Sequence, residues 1–140
     1  MKPETRPAEN GQAIALYAVI VPVTVLFFLG IVDYMLSNAR AMDTLAAADL
    51  AAHAGAQRVR LLPDGSPQVT AQAKTTAAAF FIAQAPPEAA LTSVWCGELD
   101  GRPACRVSAA VESTGYLLPQ SVIRITAVGY LASGVTEDDQ

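Results

Sequence analysis

Charge is scarce in this chain, and in one stretch it is missing altogether. Of the 140 residues only 16% are charged. From Gly11 to Val32 there is none: GQAIALYAVIVPVTVLFFLGIV. Basic clusters are missing too, and the formal net charge is −4. That argues against the nucleic-acid backbone as a partner, which needs concentrated Lys and Arg. Histidine is nearly absent, with His53 alone. The two cysteines are too few for a structural zinc site without several histidines. No phosphate-cradling glycine loop and no Gly-x-Ser-x-Gly elbow occurs. Asp49 and His53 stand four apart and can pair on a helix surface. No nucleophile or metal partner accompanies them. The expectation is a non-enzymatic protein, with no catalytic, cofactor-binding or metal residues and no evident small-molecule substrate.

What is present is the uncharged run itself. A helix crossing a bilayer core needs about 20 mostly apolar residues. Gly11 to Val32 meets that length. Pro22 inside it is tolerable in a membrane helix, where neighbouring groups re-satisfy the freed carbonyl. A cleavable signal peptide competes as a reading, with Ala39-Arg40-Ala41 resembling a small-residue cleavage site. Its apolar region would normally be about 7–15 residues, shorter than this one. Lys2 and Arg6 precede the span and Arg40 is the only basic residue close behind it. This bias puts the N-terminus inside the cell. The cysteines then lie outside the cytoplasm, where disulfides persist.

Beyond Val32 no glycine or proline occurs until Gly55, and Ala, Leu, Met and Arg are good helix formers. The span is expected to continue outward as one helix to about Leu62. Ala41, Leu45, Ala48, Ala52, Gly55, Val59 and Leu62 form one helical seam of mostly small residues. It is expected to pack on the chain's own domain. Pro63-Asp64-Gly65-Ser66-Pro67 reads as a turn, with Ser66 as N-cap and Pro67 opening a second helix. That helix would run to about Gln84, with Phe80 and Phe81 in the core, and Pro86-Pro87 would end it.

The remainder reads as strands. Asp100-Gly101 is a two-residue hairpin turn of the I′ type. Centred there, the register pairs Leu99 with Arg102, Glu98 with Pro103, Gly97 with Ala104 and Cys96 with Cys105. The cysteines fall at a non-hydrogen-bonded pair, with Cα atoms about 4.5 Å apart, within disulfide range. Thr92, Val94 and Cys96 lie opposite Ala109, Val107 and Cys105 on an apolar face. Trp95 pairs with Arg106 on the solvated face, where the guanidinium can sit on the indole. Ser121 to Tyr130 is the third strand, with Ile123, Ile125 and Ala127 on its buried face. Tyr116, Leu117 and Leu118, before Pro119, form an apolar loop and a candidate partner surface.

The expected fold class is α+β: a long N-terminal transmembrane helix continuing outside the membrane, a second helix and a three-stranded antiparallel sheet. By residue number, 1–10 would be a cytoplasmic segment and 11–32 the span. Residues 33–134 would form an extracytoplasmic domain and 135–140 an acidic tail.

Gly11-Gln12-Ala13-Ile14-Ala15-Leu16-Tyr17, then Pro22 mid-span, then Gly30-Ile31-Val32-Asp33-Tyr34 follow one another, and an alanine-rich stretch around an aspartate comes after them, from Ala47 to Ala56. In these pieces the sequence resembles the TadE/TadG-like proteins of tight-adherence (Flp) pilus systems, pilin-like components of a bacterial cell-envelope machine. The resemblance implies a single-pass bacterial membrane protein whose partners are the membrane and other pilin-like or pilus-assembly subunits. It also implies a prepilin-type cleavage junction between Gly11 and Gln12. The pattern departs at the fifth position after that junction, where Leu16 replaces the usual glutamate. Leucine cannot neutralise a new amino terminus inside the bilayer, where an unpaired charge is costly. That favours a TadG-like, permanently anchored component. The other readings are an anchored extracytoplasmic ligand-binding or sensory module, and a secreted protein released after Ala41.

Overall fold

The computed structural model describes residues 8–113, 115–117 and 119–132, with side chains from residue 13 onward. The fold is α+β. One helix, α1 (Ala8–Ala56), runs unbroken through 49 residues, with Pro22 inside it. At about 1.5 Å per residue it is a rod of roughly 75 Å. Its two halves differ completely in their surroundings. Up to Val32 the large apolar side chains, from Ile14 and Leu16 through Phe27 and Phe28, stand exposed. One eighteen-residue window there has a mean hydropathy of 2.6 and no residue buried, so α1 is long and apolar enough to cross a membrane. From Asp33 onward one face is covered by the rest of the chain, which forms a compact head.

The head has two layers. A three-stranded antiparallel sheet has the order β3 (Ala89–Leu99), β4 (Arg102–Ser113), β5 (Ser121–Tyr130). Over one face lie the outer half of α1 and a second helix, α2 (Gln72–Gln84). The hairpin register matches the sequence expectation from Leu99↔Arg102 through Cys96↔Cys105 to Val94↔Val107. Asp100 (φ 52) and Gly101 (φ 73) both take the positive φ that a type I′ turn demands. Cys96 and Cys105 are disulfide-bonded, with Cα atoms 4.1 Å apart. Closing so short a loop stabilises by about 2–3 kcal/mol. Arg106 stands 6.0 Å over the Trp95 ring on the outer face.

Four expectations need correction. First, α1 ends at Ala56, so Val59 and Leu62 leave the expected seam. Second, Pro67 does not open a helix. Val59–Leu61 and Pro67–Val69 form a small antiparallel ribbon, β1 and β2. The turn cluster reverses this ribbon instead of capping a helix. The Ser66 hydroxyl and amide donate to Asp64 Oδ1, at 2.7 and 3.0 Å, and hold that exposed carboxyl below its usual range. The Arg58 carbonyl accepts the Thr70 amide and hydroxyl, closing the ribbon's base. The ribbon supplies the reversal that lets α2 return along α1. Third, only Phe81 is core, at 1% exposure; Phe80 is 47% exposed. The buried stripe of α2 is Ala73, Ala77, Phe81, at steps of four. Fourth, the register slips between Leu91 and Ser93, so Leu91 rather than Thr92 faces Ala109. A bulge there takes one residue out of the ladder.

The core is built mostly of alanine. Ala47, Ala48, Ala51, Ala52, Ala77 and Ala109 surround Phe81 and Val107. Small side chains let backbones approach closely. At Gly129 a Cβ would land on the His53 amide nitrogen and 2.5 Å from the Ala52 carbonyl carbon. At Gly55 it would meet Cys105 Sγ at 2.8 Å and Ala77 Cβ at 2.9 Å. So β5 lies against the α1 backbone, while α1, α2 and the disulfide meet at Gly55. The lengths also match. Ser113 sits beside Ser37 and Cys105 beside Gly55. That is about 27 Å of helix and about 26 Å of strand, so β4 runs antiparallel along α1.

This packing predicts unequal costs for adjacent residues. Phe81→Ala leaves a cavity and should cost about 3–5 kcal/mol. Phe80→Ala should cost less than about 1 kcal/mol, as a half-exposed side chain with little to lose. Chemical denaturation of the detergent-solubilised chain, followed through Trp95, checks the difference.

Candidate functional site at the base of the head

The sequence singled out Gly11 and Gln12, Cys96 and Cys105, and Tyr116 to Leu118. The structure does not bring them together. Gly11 and Gln12 fall near the start of α1, with their side chains outside the described set. The disulfide lies at the opposite end of the head, against Ala56 and Ala73. Leu118 is outside the described residues. Tyr116 and Leu117 are exposed, and they sit where the bare half of α1 meets the covered half.

That junction is organised by Asp33, the first charged residue after the apolar run. Its side chain is turned into the head and only 2% of the residue is exposed. Asp33 Oδ2 accepts the Leu117 amide at 2.6 Å. A Cβ at position 115 would stand 2.7 Å from the same oxygen, so Gly115 lets the loop backbone close over the carboxyl group. One turn farther along α1 the Ser113 hydroxyl donates to Ser37 Oγ at 2.7 Å. Asp33 and Ser37 are four apart and share the face that also buries Thr44, Ala48 and Ala52. Two successive turns of α1 thus grip the β4–β5 connection. A buried polar group needs partners, because desolvation without them is costly.

Sequence reasoning took Asp33 as the end of the span and missed its grip on the loop. A sign was available: Asp33 and Ser37 lie on the helical face later occupied by the alanine seam. The partner gave none, since Leu117 is 84 residues away.

Asp49 and His53 do approach, with 3.6 Å between Oδ1 and Nε2, and both are about half exposed. Among the described residues no three His, Cys, Asp or Glu side chains converge as a metal site. A cleft of about 650 Å³ lies at the far end of the head, between the β1–β2 ribbon and the β3–β4 hairpin. Its lining includes Lys74, Gln68, Glu98 and Cys96.

No family model, curated protein or solved structure matches this chain.

The Asp33 grip predicts local rather than global loss. Asp33→Ala removes the acceptor of the Leu117 amide, a bond worth about 1–3 kcal/mol when buried. Hydrogen exchange of that amide should accelerate about 10- to 100-fold, while β4 amides near Cys105 keep their protection.

Proposed function

We propose that the chain is a non-enzymatic, membrane-anchored, pilin-like component of a Tad/Flp-type pilus assembly or a related secretion machine. The observation that carries this reading is the division of α1. One continuous helix has a bare apolar half of bilayer length, and its other half is the spine of a disulfide-bonded head. A single rigid element therefore couples whatever the span contacts in the membrane to whatever the head contacts outside. In this reading the N-terminus is cytoplasmic, as Lys2 and Arg6 favour, and the head is extracytoplasmic, as the disulfide favours. The bare half offers lateral packing to similar helices, with Ala15, Ala18 and Gly30 as small contact residues. The TadE/TadG-like resemblance of the first 56 residues supplies the kind of machine, and Leu16 favours a subunit that keeps its anchor.

A second reading has one observation in its favour. The cleft holding Lys74 and Glu98 has the size of a small-molecule site. An anchored extracytoplasmic ligand-binding or sensory module would use it.

Removal of residues 11–32 separates these outcomes. The full chain should resist extraction from membranes by alkaline carbonate, and the deletion should not. In the bacterium that carries it, the deletion should abolish pilus assembly; normal piliation would overturn the assembly reading. Ligand-dependent thermal stabilisation, with piliation unaffected, would favour the sensory one. The intact mass of the protein in the membrane and released fractions distinguishes the uncut chain from one cut after Gly11 or after Ala41.

A further inference from the structure

The loop tip beyond Gly115 exposes apolar side chains where a small head has no reason to. Tyr116 is 82% exposed and Leu117 is 45% exposed. Next to Asp33 on α1, Tyr34 is 67% exposed. Tyr116, Leu117 and Tyr34 lie at one level of the molecule, whereas the start of β5 stands about a helical turn higher, beside Ser37. The Leu117 amide is bonded to Asp33, and Tyr34 is the next residue along α1. This level is the last turn before the uncharged half of α1. The patch is thus continuous with the apolar surface of the span. The next charged residue along α1 is Arg40, about 10 Å farther out.

We infer that Tyr116, Leu117 and Tyr34 form a foot that seats the head on the lipid interface. The occupant of this patch is the bilayer surface itself. The inference rests on the anchoring reading above. Tyrosine is suited to the position, because its ring enters the acyl boundary while its hydroxyl stays among the headgroups. The loop from Gly115 to Gln120 carries no charged residue of its own, and Glu112, which accepts the Gln120 side-chain amide, stands at its upper end on β4. The interfacial zone on each side of the hydrocarbon core is about 5–8 Å deep. The foot fits inside it, and Arg40 falls beyond it. The Asp33–Leu117 bond then has a purpose: it holds the loop at the depth of the interface and keeps the carboxyl group covered there. The head gains a second contact with the membrane, so that it cannot swing freely about the helix axis.

Depth-resolved quenching of the full chain in vesicles tests this. The vesicles are phosphatidylcholine and phosphatidylglycerol, with bromines placed either near the headgroup or deep in the acyl chains. Trp95, the only native tryptophan, lies on the outer face of the sheet and should be unquenched in the unmodified chain. With Trp95→Phe as background, Tyr116→Trp should lose at least about half its emission to the shallow bromines, as expected of an interfacial indole. It should lose little to the deep ones. Leu117→Trp in the same background should behave alike, and it stands in if the first variant fails to fold. Phe27→Trp reports on the span and should be quenched by the deep bromines. A Phe27→Trp indole quenched while both loop indoles are not would overturn the foot and leave the anchor standing. A blue-shifted, unquenched loop indole would mean a protein neighbour, and a red-shifted one would mean water; either overturns the inference. No quenching at Phe27→Trp would remove the anchoring reading and this inference with it.

Discussion

The structure depends on how closely a sheet can lie against one long helix. Gly129 brings the β5 backbone onto the backbone of α1 at Ala52 and His53, and Gly55 brings α1 onto the disulfide and α2. Alanines line the rest of the contact. Larger residues along this line would push the layers apart and open voids between them, and interiors do not tolerate voids well. The close approach also explains how a head with few large core residues holds together. Phe81, Val107 and Val111 supply the bulk, and the many short contacts among alanines, glycines and backbone supply the rest.

From that contact the remaining architecture follows. Because β4 runs antiparallel along the outer half of α1, its two ends have different roles. The Cys105 end, with the disulfide, the ribbon and the cleft, is far from the apolar half of the helix. The Ser113 end meets α1 at Ser37, and the loop beyond it meets Asp33. The head is therefore polarised: chemistry that could meet a ligand is gathered at one end, and apolar surface continuous with the span at the other. The proposed functions use these ends differently. Structural coupling and lipid seating belong to the base, and ligand capture belongs to the tip.

Much of this was legible in the residues. Asp100-Gly101 located a turn, and counting outward from it placed Cys96 opposite Cys105 and Trp95 opposite Arg106. A two-residue turn leaves no freedom in register, which is why that reading held over so many pairs. The alternation of Ile123, Ile125 and Ala127 located β5 to the residue. Apart from the bulge at Thr92, the readings that failed concerned places where local preference was indifferent. Residues 57–62 can join a helix or a strand, and Pro67 can open a helix or begin a ribbon. The choice went to the ribbon because α2 had to return along α1. Phe80 and Phe81 are indistinguishable by type; the stripe Ala73, Ala77, Phe81 selected one because the alanines had to face α1.

The sequence by itself determined the elements whose cause is local or one-dimensional. These are the uncharged stretch of bilayer length, the helix that carries it onward, the hairpin with its paired cysteines, and the alternating final strand. Tertiary structure alone decided what depends on meetings between distant residues. It turned Asp33 inward to hold the Leu117 amide, laid Gly129 on the α1 backbone, and brought the Tyr116 loop down to the level where charge disappears from the helix. Periodicity records which face of an element is buried, but not which distant backbone will arrive there. That is settled only when the layers pack, because a close contact must satisfy shape and hydrogen bonding on both sides at once.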